Sequence, residues 1–534
     1  RYSSSRQDAA ARTGSHPTPQ VPREARAKRG RRGPNRVSRV MGATLVGVAG
    51  TAVEVEVRSS SQLPRIEIVG LPEAAVRESA ARVRAAINSI GQKVPDRRLT
   101  VNLAPAALRK HGAGLDLPIA VGILSAASSL EPTCLDGLAL VGELALDGRI
   151  RPVRGALAMA MALREAGCRL AIFSVENAAE AALATGLEIR AAANLLDVLR
   201  HLLEVEALPQ PSPLPPVGID PEEGPDIADV RGQEHAKRAL TIAAAGQHPL
   251  LLRGAPGAGK TMLARRLAGL MPPLEGQEAL EVTQIQGSIG LPIRGVVQQR
   301  PFRSPHHTAS VAGLLGGGKP LRPGEVSLAH KGVLFLDELP EFGRRCLESL
   351  RQVIEDHRVS ISRADLRCDL PADFQLVAAA NPCPCGWRGS GRRDCLCDDG
   401  AVARYVARIS GPLLDRFDLH VNVQPVAWAD LEAANAGPSS HALRERVLEA
   451  RTRQVARAGQ PNGRLPDAQL DGAVQATREA LELLGRAVDH FGLSARSARR
   501  ALRVARSIAD LAAEETTGAP AVAEALGFRS EVPG

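Results

Sequence analysis

Aromatic side chains are scarce in this chain of 534 residues, which has 2 Trp, 2 Tyr and 8 Phe. Hydrophobic residues still make up 44%, so its cores must be built from Ala, Leu, Val and Ile. No run of 18 or more apolar residues occurs, and no transmembrane helix is expected. Eight cysteines in so long a chain, without a signal-peptide pattern, argue against a disulfide framework and for a reducing, cytoplasmic setting. An excess of one charge is also missing from most of the chain. The net charge is +9, but residues 1–40 hold 11 Lys/Arg against 2 Asp/Glu, which leaves 56 of each sign over residues 41–534. Contact with DNA or RNA must therefore come from local patches.

What is present centres on one stretch. The apolar run Leu250-Leu251-Leu252-Arg253 feeds Gly254-Ala255-Pro256-Gly257-Ala258-Gly259-Lys260-Thr261, and an Ala/Leu/Arg helix pattern follows. The order strand, G-x-x-x-x-G-K-T, helix is that of a phosphate-binding loop. Its glycines let backbone N–H groups turn onto a polyphosphate, where a helix N-terminus adds its positive end. Lys260 can reach the β- and γ-phosphates of ATP, and the Thr261 hydroxyl can ligate the accompanying Mg2+.

Length suggests about three domains. Residues 1–36, rich in Arg, Ser, Pro and Gly, are expected as a disordered basic tail or a translation-start artefact, an Arg-rich presequence being a third reading. Residues 37–206 read as a compact α/β unit. Strand patterns lie at 43–48, 52–57, 65–69, 99–103, 138–143 and 170–174, with helix patterns at 73–90, 117–128 and 156–165. Residues 207–225, containing Leu208-Pro209-Gln210-Pro211-Ser212-Pro213, read as a proline linker. Residues 226–425 hold the phosphate loop, and 426–534 read as a helical lid.

The front unit resembles the Lon-protease-like domain (ribosomal S5 domain 2-like). The likeness rests on Val101-Asn102-Leu103-Ala104-Pro105, on Lys110 to Pro118 and on Val141-Gly142-Glu143-Leu144. Lon-type proteolysis needs a Ser activated by a Lys. Here Gly114 and Asp116 stand where the Ser would fall and Arg154 near the Lys position, so the resemblance implies a non-proteolytic module.

Beyond the linker the apolar strand 333–336 ends in Asp337-Glu338, and strand 374–380 ends at Asn381. A first carboxylate can hold Mg2+ and its neighbour can orient or deprotonate the attacking water, which assigns Asp337 to the metal and Glu338 to the water. The AAA+ pattern gives Asn381 a place beside that water, a turn before Pro382 being the plain alternative. Gly411 to Asp418 resembles the arginine-finger segment of the Mg-chelatase and MCM branch, which implies that Arg416 reaches a neighbouring subunit's site; a surface ion pair is the plain alternative. Leu493 to Arg499 resembles the second sensor, making Arg496 a γ-phosphate contact, with Arg499 and Arg500 near enough to be confused with it.

Residues 312–330 and 358–367 are insertions. The second alternates like a hairpin, and its Arg358, Arg363 and Arg367 could meet DNA phosphates in a ring's pore or simply be solvated. Cys383-Pro384-Cys385 and Cys395-Leu396-Cys397 could enclose Zn2+, four reduced thiols being the alternative. The remaining cysteines read as packing residues. Arg303-Ser304-Pro305-His306-His307-Thr308 looks specific but suggests no mechanism, since the two histidines lack a third metal ligand.

From residue 37 onward, these ordered motifs resemble the Mg-chelatase-like AAA+ ATPases of the YifB/ComM type. The resemblance implies a homo-hexamer that hydrolyses ATP with Mg2+ and acts on single-stranded or branched DNA, driving branch migration when incoming DNA is recombined in natural transformation. A chelatase subunit, an ATP-dependent protease and an ATPase acting on protein alone remain alternatives.

Overall fold

The computed structural model describes residues 37–214, 224–363, 366–426 and 437–529. The tail 1–36 therefore lies outside the described residues, as does most of 215–225. The chain forms two compact units, one of residues to Thr44 with Gly50–Pro213, the other of Leu45–Ala49 with everything from Leu214.

The front unit is built on a seven-stranded mixed sheet in the order Arg65–Val69, Arg98–Ala104, Ala49–Ser60, Val37–Val46, Leu138–Leu140, Leu170–Ser174, Glu188–Ala192. Alternation in Ala49–Ser60 sends Val53, Val55 and Val57 into the core. Every residue of the helix Asp116–Ala126 is buried, which explains why its sequence shows no polar face. The helical pattern at 73–90 is two helices, Ala74–Arg77 and Ser79–Ser89, and the run 138–143 is two short strands, Leu138–Leu140 and Glu143–Leu144. Asp116 is fully buried; its carboxylate accepts from Arg82 Nε at 2.7 Å and from the Leu144 N–H at 3.2 Å, and the Ser79 hydroxyl donates to it. A charge so enclosed is structural, since breaking the pair would strand it. The segment at the start of the proline stretch packs on this unit, the Leu208 carbonyl accepting from Arg190 Nη1 at 2.9 Å and the Pro209 carbonyl from the Ala191 N–H at 3.0 Å.

The second unit carries a five-stranded sheet in the order Phe302–Arg303, Val333–Leu336, Gln375–Ala380, Leu250–Arg253, Leu419–Asn422, parallel throughout. Val333–Leu336 and Gln375–Ala380 are buried at every position, as expected of central strands covered on both faces. The crossover order places the first strand between the fourth and the fifth, so segments distant in sequence leave the sheet at one edge. One face packs against the helices Ser440–Ala458, Ala495–Leu511 and Ala519–Gly527 in a single core that joins Leu250, Leu252, Val377 and Val421 to Val447, Val504 and Phe528. Buried polar groups tie the same elements. His248 Nδ1 lies 2.8 Å from Asp418 Oδ2 and its Nε2 lies 2.7 Å from Ser507 Oγ, while Arg500 donates to Asp418 at 2.5 Å. Among the described residues no helix is long and apolar enough to cross a membrane.

Candidate active site

The loop begins where the strand Leu250–Arg253 ends. Gly257 and Gly259 have φ of +75° and +93°, a region that costs an ordinary side chain energy, and the helix Lys260–Leu270 starts immediately after. Gly254 is fixed by space, because a Cβ there would fall 2.3 Å from the Val423 carbonyl oxygen. Arg253 lies opposite Ala380 in the parallel register, so Asn381 emerges beside the loop. Lys260 Nζ donates to the carbonyls of Gly254 at 2.7 Å and Ala255 at 3.0 Å and to Asn381 Oδ1 at 3.0 Å. Burial pushes the Lys260 ammonium below its ordinary value, against the pull of Asp337 and Glu338. Beside the loop opens a cavity of about 770 Å3 lined by Ala255, Asn381, Arg388, Tyr405 and Asn422, a size usual for small-molecule sites.

Val333–Leu336 delivers the two carboxylates. Thr261 Oγ1 donates to Asp337 Oδ2 at 2.7 Å, so a hydroxyl and a carboxylate stand together next to the phosphate loop. That hard-oxygen pair suits Mg2+, which takes one or two protein oxygens and completes its shell with phosphate and water. Glu338 adopts a left-handed backbone, φ +52°, and its N–H donates to Asp337 Oδ1 at 2.9 Å. Its own carboxylate turns toward His307, with Nδ1 3.3 Å from Oε2.

His307 is the residue that sequence reasoning could not place. The short strand Phe302–Arg303 pairs with Val333–Leu336, and the segment that follows it runs over Glu338. Arg303 is fixed by paired hydrogen bonds to Glu325 at 2.7 and 2.8 Å. The His306 and His307 rings lie 4.1 Å apart, and His307 meets Phe342 edge-on. The doublet Asp337-Glu338 was the available signal, because it asks for a partner that keeps the second carboxylate in place.

Arg416 lies apart from these groups. It is 5% exposed and donates to Glu355 and to the Pro412 carbonyl. Burial lowers its guanidinium from the ordinary value against the pull of Glu355, and the charges of Arg351, Arg496 and Arg500 lower it further. Arg496 thus lies within electrostatic reach of Arg416, and it is exposed. Arg499 donates to the Asp467 carbonyl, and Arg500 bridges Asp418 and the Arg416 backbone carbonyl, the latter at 2.9 Å.

The hairpin Arg358–Arg363 with Leu366–Pro371 pairs in an antiparallel register. Arg358 and Arg367 are exposed, and the Ser360 hydroxyl donates to Asp369 at 2.6 Å between them. The Arg363 side chain lies outside the described residues. The two C-x-C pairs converge: Cys383 Sγ is 3.4 Å from Cys385 and 3.6 Å from Cys395, and all four thiols lie within 4.8 Å of one another. Backbone N–H groups of Trp387 and Leu396 hold the Cys385 thiol down to about 6.

Comparison with known proteins gives the site its lineage. Residues 226–431 match the family described as magnesium chelatase, subunit ChlI; residues 55–177 match subunit ChlI of Mg-chelatase, and 437–529 its C-terminal part. Competence protein ComM of Haemophilus influenzae is 43% identical over 493 residues, 91% of this chain and 96% of that protein. The chain belongs to the YifB/ComM family of Mg-chelatase-like AAA+ ATPases. YifB of Salmonella typhimurium is 42% identical over 488 residues, covering 91% of this chain and 95% of that protein. Lon protease 2 of Bacillus subtilis is similar over 184 residues at 29% identity, 29% of this chain and 32% of that protein. Membership brings ATP and Mg2+ as the expected ligands of the Gly254 to Thr261 loop.

Proposed function

We propose that this protein is an ATP-hydrolysing ring motor of the cytoplasm, with a hexamer as its working form, that acts on single-stranded or branched DNA and drives branch migration during recombination of incoming DNA. The observation that carries the nucleotide half is the meeting of Lys260, Thr261, Asp337 and Asn381 at one edge of a parallel sheet. Lys260 exchanges its two loop carbonyls for the β- and γ-phosphates, and Asn381 keeps its ammonium aimed there. Thr261 and Asp337 hold Mg2+, which when bound neutralises developing charge on the phosphoryl oxygens. Glu338 orients and deprotonates the attacking water. His307 holds the Glu338 carboxylate in place until water and nucleotide are aligned.

Arg416 and Arg496 serve the neighbouring subunit. The Arg496 charge acts on the Arg416 guanidinium, while Lys260 bonds Asn381 and Thr261 bonds Asp337 without either arginine. Arg416 must release Glu355 to act, which gives the ring a way to keep hydrolysis low in unassembled chains. The DNA half rests on the exposed Arg358 and Arg367 of the hairpin and on the likeness to Competence protein ComM. The four converging thiols suit Zn2+. A role as a chelatase subunit has less support, since the Magnesium-chelatase 67 kDa subunit of Heliobacterium mobile matches only 30% of this chain.

The test is migration of a labelled four-way junction by purified protein with ATP and Mg2+. Movement by wild type that Lys260→Ala abolishes supports the reading. A protein that hydrolyses ATP and leaves every junction intact contradicts its DNA half.

A further inference from the structure

The four-cysteine loop is placed against the nucleotide site. Gln375–Ala380 ends at Asn381, and Cys383, fully buried, follows two residues later. The chain then turns, the Gly386 N–H donating to the Cys383 carbonyl at 3.0 Å. At the turn Gly386 has φ +82°, and a Cβ there would fall 2.6 Å from Cδ of Pro256 in the phosphate loop. The Asn381 side chain lies beside the same spot, 3.8 Å from that Cβ position, and accepts from Lys260. The first C-x-C pair is thus rooted between the Asn381 strand tip and the phosphate loop. The second pair lies just before the helix Asp399–Val406, whose start is capped by Asp398 accepting from the Ala401 N–H at 2.6 Å.

The sulfur separations fit one ion. A tetrahedral Zn–S4 centre with bonds of about 2.3 Å sets its sulfurs about 3.8 Å apart. The separations of 3.4, 3.6 and 3.7 Å among Cys383, Cys385 and Cys395 approach that value. Four thiols gathered without a metal would gain little from their weak S–H donors, whereas a structural zinc site repays the closure of the loop between Cys385 and Cys395.

We propose that zinc bound by Cys383, Cys385, Cys395 and Cys397 is a clamp on the nucleotide site: it fixes the Cys383 to Gly386 turn against Pro256 and so sets both the phosphate loop and Asn381. The proposal rests on reading the four-cysteine loop as a zinc site. It adds that occupancy of that site controls ATP affinity. Residues of the loop and of the helix it anchors, Arg388, Gly389, Ser390 and Val402, line the cavity beside Ala255 and Asn381, so loss of the metal loosens one wall of that space.

The experiment measures zinc per chain by elemental analysis and ATP affinity by titration with a fluorescent ATP analogue, on the purified full chain. Cys395→Ser/Cys397→Ser removes the two ligands farthest in sequence from Asn381. Gly386→Ala keeps all four thiols and disturbs the turn itself, through its left-handed backbone and the approach of the new Cβ to Pro256. Wild type should carry one zinc; the double variant should lose it and bind the analogue about tenfold more weakly; Gly386→Ala should keep zinc and also bind weakly. Wild type purified without zinc, and unable to take it up, overturns the zinc reading and the clamp with it. Zinc present in wild type, with the zinc-free double variant or the zinc-loaded Gly386→Ala binding the analogue as wild type does, overturns the clamp and leaves the zinc site standing. If the double variant does not fold, Gly386→Ala still decides.

Discussion

His307 Nδ1 lies 3.3 Å from Oε2 of Glu338, the second carboxylate of the Asp337-Glu338 pair. The two lie in segments that follow neighbouring parallel strands, and Glu338 holds a left-handed backbone at the point of contact. His307→Ala should leave ATP affinity within about twofold and lower kcat about tenfold, less than the roughly hundredfold or more that loss of a general base itself costs. His307→Gln, which retains hydrogen-bonding atoms, should recover part of the rate. Steady-state kinetics separate the two parameters, and a wild-type kcat in His307→Ala would show the contact to be idle.

Asp337→Asn keeps the shape of the residue that accepts from Thr261 and removes its charge. The Mg2+ concentration for half-maximal ATPase should rise at least tenfold, as when a partner of a metal ligand is lost. A Mg2+ titration at fixed ATP reads this directly. An unchanged midpoint would move the metal away from Asp337.

Arg416, buried against Glu355, is assigned to a neighbour's site. Arg416→Ala and Lys260→Ala should each lose about a thousandfold or more in ATPase, for Arg416 the low end of the range for an arginine finger. Mixed before assembly, the two variants should regain activity well above their sum, because an intact Lys260 then meets an intact Arg416 across a boundary. A mixture no better than its parts would place Arg416 in its own chain's site or in a structural role.

Asp373 precedes the Asn381 strand. Its carboxylate meets Arg464 Nη2 at 2.7 Å and Lys331 Nζ at 3.0 Å. Burial alone would raise it, but Arg464 and Lys331 outweigh burial and lower it from 3.8 to about 2. A depressed carboxylate stabilises the fold above its unfolded value and loses that contribution as pH falls through the folded one. About 2 kcal/mol should therefore separate wild type from Asp373→Asn at pH 7, and the gap should close between pH 4 and pH 2. Urea unfolding across that window is the check; a gap independent of pH would mean that packing, not charge, is lost.

Legibility in the sequence followed locality. The strand, loop and helix around Lys260 are contiguous, and the hairpin at Arg358 alternates residue by residue, so both were readable as patterns. The buried helix Asp116–Ala126 was readable because it is apolar all round. The run 138–143 is interrupted, since Gly142 turns to pair with Gly114 although the Val141 N–H still bonds Ile172 of the neighbouring strand. What no pattern contains is the outcome of strand order. His307 on Glu338, Glu355 on Arg416 and Gly386 on Pro256 each join segments that only the folded sheet brings together. Spacing named the four cysteines, but it could not say that their loop leans on the nucleotide site.

The central claim is that ATP turnover is coupled to DNA through the hairpin. The direct measurement is the ATPase rate of the purified protein with and without forked DNA, for wild type and Arg358→Glu/Arg367→Glu. The account predicts several-fold stimulation of wild type by DNA, steeply weakened by salt, and none in the charge-reversed hairpin, whose rate without DNA stays at the wild-type level. Equal stimulation of both proteins, or a wild-type rate indifferent to DNA, would contradict it.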